Sequence, residues 1–156
     1  MSAAPIKVLV IDDEPPIRKL LRMGLTTQGY EILEASNGKI ALEKLTEEPA
    51  LIILDLGLPD VPGLDLLRQW RAEGVTIPVV VLSASSARQL LPPFAEPFID
   101  VQQLRADVEA SHRELAQRLH GTWKKIPNST HLIAESQPDA VADSVFDLLD
   151  QIRKSP

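Results

Sequence analysis

Short apolar runs alternate with longer stretches of helical period along this chain, and the alternation repeats five times. Lys7 to Ile11 (KVLVI) predicts a first strand, and Pro15-Pro16 favours a helix start, with Ile17, Leu20, Leu21 and Leu25 on one face and Gly29 closing the element. Tyr30 to Ala35 (YEILEA) alternates as a half-buried edge strand does, and Asn37-Gly38 turns into a helix carrying Ile40, Ala41 and Leu45 inward. Leu51 to Leu54 is fully apolar and ends on Asp55. The turn-rich stretch GLPDVPG follows, and Leu64, Leu67 and Trp70 mark the next helix up to Gly74.

Ile77 to Leu82 (IPVVVL) predicts a fourth strand, followed by a helix from about Phe98 to Leu119 with Val101, Leu104, Val108, Leu115 and Leu119 in period. Thr122 to Ile126 is a weaker fifth strand. Gln137-Pro138-Asp139 opens a last helix with Val141, Val145, Leu148, Leu149 and Ile152 along one side. Strands apolar on both faces and joined by helical crossovers imply a doubly wound α/β fold, a parallel sheet between two helical layers. Five such units suit the flavodoxin-like (βα)5 order 2-1-3-4-5 as one domain over residues 1–156, with its site at the carboxyl ends of strands one and three.

The 156 residues, 44% hydrophobic and 24% charged, are enough for one core. A formal charge of −6 argues against a nucleic-acid partner held by phosphate neutralisation. The absence of cysteine excludes disulfides, thiol catalysis and cysteine-based zinc sites. MSAAPI lacks the basic start and apolar run of a signal peptide, and LIIL and VVVL are too short to cross a bilayer, so no membrane contact and a cytoplasmic location are expected. The last helix is expected to run almost to Pro156, so no attached DNA-binding domain is expected.

The chemistry falls where the topology puts a site. Asp12 and Asp13 end strand one and Asp55 ends strand three, so three carboxylates converge and call for a cation. Magnesium is the physical expectation, being a hard ion held by carboxylates and water. Asp55 is then placed to attack a phosphorus centre and form an acyl phosphate, with Ser83 beyond strand four donating a hydrogen bond to the phosphoryl group. The plainer alternative is that these carboxylates are solvated or cap the next helix, as Asp13 is placed to do before Pro15.

These motifs carry a resemblance. IDDE at Ile11–Glu14, DLGLPDVPGLDLL at Asp55–Leu67 and PVVVLSA at Pro78–Ala84 make residues 1 to about 84 similar to a response-regulator receiver domain of the OmpR type. The resemblance implies that Asp55 is the phosphoacceptor and that Asp12, Asp13 and the Gly57 carbonyl hold the metal with it. It also implies that Ser83 and Ala84 sense the phosphoryl group, and that a histidine kinase or a small phosphodonor supplies it.

After Ala84 the pattern changes. Glu96-Pro97-Phe98 comes too early to be the receiver Lys-Pro-Phe and has an acid where the base belongs. If TWKKIP (Thr122–Pro127) is strand five, Trp123 falls at the receiver's switch aromatic and Ile126 at its lysine, with Lys124 one alternation earlier on the same side. IPNSTHLIAESQPDAVADSVFDLL (Ile126–Leu149) resembles the carboxyl-terminal part of an α/β-hydrolase, which implies that His131 is a remnant of the triad histidine. No G-x-S-x-G elbow accompanies it, so no complete hydrolase and no enzyme is expected. His112 and His120 suggest no ligand set. The mixed charges of helix four, including Arg105, Arg113 and Glu114, read as a solvated face.

Two resemblances joined within VLSA suggest a chimera, engineered or recombined, in which a hydrolase fragment completes a receiver. Three functions follow: a magnesium-dependent phosphoacceptor impaired in signalling, an inert scaffold, and, least favoured, a hydrolase remnant. An apolar end of helix four would serve a homodimer.

Overall fold

The structure, a computed structural model, describes residues 4–84 and 122–126, with the backbone alone from 82 onward, and isolated helical positions between 106 and 118 and between 143 and 154. The element order is β1 (Lys7–Ile11), α1 (Pro15–Thr27), β2 (Glu31–Ala35), α2 (Gly38–Leu45), β3 (Leu51–Asp55), α3 (Gly63–Ala72), β4 (Val79–Ala84) and β5 (Thr122–Ile126). The five strands form one parallel sheet in the order β2-β1-β3-β4-β5, the doubly wound order expected from the sequence.

Alternation along each strand divides the core in two. Val8 and Val10 of β1, with Leu51, Ile53 and Val80, pack on one face against Ile17, Leu21 and Leu25 of α1. Leu9 and Ile11, with Ile52, Leu54, Val79 and Val81, pack on the other against Ala41 of α2 and Leu66, Leu67 and Trp70 of α3. The central run LIIL is apolar throughout because both of its faces are covered, and each such side chain contributes about 1.5–3 kcal/mol by burial. Phe146, one of the isolated helical positions, packs partly buried against the α1 side.

The strand limits differ from expectation in one informative place. β4 starts at Val79 and runs to Ala84, two residues later than predicted at each end. Proline has no N–H to give a ladder, yet the Pro78 carbonyl still accepts from Ile52 N at 3.0 Å. The preceding stretch is fixed by Arg71, whose guanidinium donates to the carbonyls of Val75 (2.7 Å) and Ile77 (3.0 Å). In α3 the buried stripe is Gly63, Leu66, Leu67 and Trp70, so Leu64 lies at its border and is only half-buried. The rest of predicted helices four and five lies outside the described residues. Among the described residues, no helix is long and apolar enough to cross a membrane.

Gly63 opens α3 directly beneath the end of β3, and its N–H donates to Leu56 O at 3.1 Å. A Cβ there would overlap the Asp55 carbonyl and the Leu56 backbone. Gly63→Ala should therefore cost about 1–3 kcal/mol of stability, as overpacking of a filled interior does, measured as a lowered midpoint of urea unfolding.

Candidate functional site

β1 and β3 are neighbours whose last paired residues are Ile11 and Leu54, so the residues that follow emerge together at the carboxyl edge of the sheet. There Asp12, Asp13 and Asp55 each bring a carboxylate oxygen within 4.8 Å of the others. Their exposures differ: Asp12 is 3% exposed, Asp55 is half-buried and Asp13 is open to solvent.

Asp12 bears a clear electrostatic cost. Burial, then the nearby Asp55 charge, and more weakly Glu14 and Asp13, push its carboxyl up to about 8, against the one favourable influence of the Glu14 N–H. That N–H donates to Asp12 Oδ1 at 2.9 Å. Arg18, from the first turn of α1, donates to the Asp12 main-chain carbonyl at 2.7 Å, and its Nε lies 3.6 Å from Glu34. Glu34 also accepts from Arg22 at 2.9 Å. Asp55 accepts the Gly57 N–H through Oδ2 at 3.1 Å, a bond that folds the chain back just after β3.

The donor set fits magnesium. All three side chains offer hard oxygen, one is buried, and a divalent cation among them would convert their mutual repulsion into attraction.

The expectation that Asp13 caps the first helix is not met. The N-cap of α1 is Glu14, which makes no side-chain capping bond, and the carboxylate that takes the Glu14 N–H belongs to Asp12.

Ser83 lies in β4 opposite Lys125, and Trp123 pairs with Val81. Asp55 pairs with Leu82, which pairs with Lys124, so Lys124 shares a cross-strand row with Asp55 while Ile126 pairs with Ala84 beyond it. His131, His112, His120 and Glu96-Pro97-Phe98 lie outside the described residues. Sequence reasoning missed Arg18 and Asp60. Arg18 is one residue of an ordinary amphipathic helix, and Asp60 bonds to a helix that precedes it by more than twenty positions.

Comparison with known proteins places the chain in a family. Residues 8–95, more than half of the chain, match the response regulator receiver domain, and the chain belongs to that family. It is 52% identical over 81 residues to the transcriptional regulatory protein KdpE of Mycobacterium tuberculosis, a match that covers 49% of this chain and 34% of that protein. It is 42% identical over 79 residues to the alkaline phosphatase synthesis transcriptional regulatory protein PhoP of Bacillus subtilis, covering 50% and 33%. The chain thus spans about a third of the length of these relatives.

Solved structures agree in fold. The response regulator domain of Thermotoga maritima CheB superposes with a TM-score of 0.66 at 20% identity, over 98% of this chain and 100% of that one. A response regulator receiver protein from Pseudomonas putida does so with a TM-score of 0.62 at 22% identity, over 99% and 100%.

The raised Asp12 carboxyl gives stability a definite pH dependence. The native state keeps a proton on Asp12 up to about pH 8 that the unfolded chain loses near its ordinary 3.8, so metal-free stability falls as pH rises through that window. Asp12→Asn keeps an oxygen for the Glu14 N–H and removes the ionisable group. Metal-free, it should melt higher than the parent, with a gap that widens from pH 5 to pH 8 to several degrees in thermal unfolding.

Proposed function

We propose that this chain is a phosphoacceptor domain in which Asp55 takes a phosphoryl group with the help of magnesium held by Asp12, Asp13, Asp55 and the Gly57 carbonyl. The observation that carries this reading is the convergence of three carboxylates, one of them buried, at the ends of two adjacent parallel strands. Membership of the receiver family supports it. The proposed donor is a histidine kinase, or a small acyl phosphate in its place.

The step is a substitution at phosphorus. A carboxylate oxygen of Asp55 forms the new P–O bond as the donor's bond to phosphorus breaks, with acetate leaving from acetyl phosphate or neutral imidazole from a phosphohistidine once protonated. The metal's contribution is to offset the negative charge gathered around the transferring group. Asp12 and Asp13 hold that charge compensation in place, the Gly57 N–H orients the Asp55 carboxylate, and Ser83 donates to the arriving phosphoryl oxygens. Trp123 is assigned as the aromatic that responds to the modification.

Ile126 stands where the family resemblance implies a lysine, so signalling weaker than that of an ordinary receiver is part of the proposal. We further infer a composite origin for the chain, because the family match ends at residue 95 and the hydrolase-like stretch lies beyond it. The single domain then consists of both parts, with β5 completing the sheet. The named relatives are transcriptional regulators; the formal charge of −6 disfavours a contact held by phosphate neutralisation, and no nucleic-acid contact is proposed for this chain.

Incubation with acetyl phosphate and magnesium should add the mass of one phosphoryl group, seen by intact mass spectrometry. The adduct should disappear on chelation of the metal and in Asp55→Asn. No adduct on a folded protein would overturn the proposal and leave the scaffold alternative.

A further inference from the structure

The start of α2 is tied to the loop that leaves the acidic site. Two of the helix's first backbone donors, Gly38 N–H and Lys39 N–H, have no partner within the helix. Both donate to one side chain 21 or 22 residues away, Gly38 to Asp60 Oδ1 at 2.9 Å and Lys39 to Asp60 Oδ2 at 3.0 Å. The next donor, Ile40 N–H, is satisfied locally by the side chain of the N-cap residue Asn37 at 2.9 Å. The helix is therefore capped from within its own sequence, and Asp60 adds a second, long-range attachment.

The attachment is also steric. Gly38 is buried, and a Cβ there would overlap the Val61 side chain and reach contact with both Asp60 oxygens. Its bonds to Gly38 and Lys39 hold the Asp60 carboxyl below the usual carboxylate range, so both oxygens accept at neutral pH. Asp60 lies in the segment 56–62 that connects β3 to α3 and begins with Leu56 and Gly57. Within that segment, Gly57 bonds to Asp55 and Leu56 bonds to Gly63. Among the described residues, the Asp60 pair supplies the hydrogen bonds that join this segment to an element other than β3 and α3.

We propose that Asp60 is a positioning residue for the acidic site: by gripping two N–H groups of α2 it fixes the path of residues 56–62, and with it the place of Gly57 beside Asp55. This rests on the phosphoacceptor reading in so far as Gly57 is to serve the metal. Its mechanical half stands on the hydrogen bonds alone.

The test compares the full chain with Asp60→Ala and Asp60→Asn. In the metal-free proteins, exchange of the Gly57 amide hydrogen, followed by NMR, should be faster in Asp60→Ala, with β1 and β3 amides unchanged. Magnesium titrated calorimetrically should bind Asp60→Ala about tenfold more weakly, as loss of a residue supporting a ligand does, and Asp60→Asn by less, since its one carbonyl oxygen retains one bond. A lower melting temperature with unchanged Gly57 exchange would mark Asp60 as a helix cap and overturn the proposal. Unchanged magnesium affinity in both variants, beside a parent that binds, would overturn it equally. A parent that binds no magnesium would instead sink the phosphoacceptor reading, and the exchange comparison would still decide whether Asp60 holds Gly57. Should Asp60→Ala fail to fold, Asp60→Asn carries both comparisons.

Discussion

A buried carboxyl at the end of β1 sets the terms for this molecule. Asp12 is nearly inaccessible, lies beside Asp55 and Asp13, and, among the described residues, receives the Glu14 N–H in return. Burying a carboxylate among other carboxylates is unfavourable unless it stays protonated or gains a positive partner. Arg18 is close but gives its hydrogen bond to the main-chain carbonyl, which steadies the strand end and leaves the acid uncompensated by that bond. Stability surrendered at one point of a fold is a common mark of a functional site.

The surrounding architecture makes that arrangement sustainable. β1 and β3 are covered on both faces, and Val8 to Ile11 and Leu51 to Leu54 are almost wholly excluded from water. Such a core holds the two strand ends rigidly against each other, so the carboxylates do not drift apart to relieve their repulsion. Beyond β3 the chain turns closely, with Gly63 beneath Asp55 and the Asp60 bonds anchoring the turn to α2. The same residues that repel one another in the metal-free state form, in the proposed function, the oxygen cage for a cation and the nucleophile for phosphorus.

Much of this was legible in the sequence, for identifiable reasons. Central parallel strands buried on both faces leave unbroken apolar runs, so β1 and β3 announced themselves, and the aspartates that end those runs marked the site. The strand order followed from the repeated strand and helix alternation. Three features besides Arg18 escaped. Pro78 shifted the start of β4, although a proline before a valine run was available as a warning. The choice between Asp12 and Asp13 as partner of the helix start depended on the exact turn out of β1, which side-chain pattern does not encode. The grip of Asp60 on Gly38 and Lys39 joins positions far apart in sequence, and only the packing of the β3–α3 segment against α2 brings them together. The TWKKI strand read weakly because lysines interrupt its alternation, yet its backbone pairs in full register with β4.

The ionisation of Asp12 itself tests the account most directly. Carbon-detected NMR of the side-chain carboxyl, followed against pH, should place its midpoint near 8 in the metal-free protein. Saturating magnesium should drive that midpoint below the ordinary carboxylate range. A metal-free Asp12 that titrates like a solvated aspartate, unmoved by magnesium, would contradict the claim that a buried, cation-seeking carboxyl organises this site.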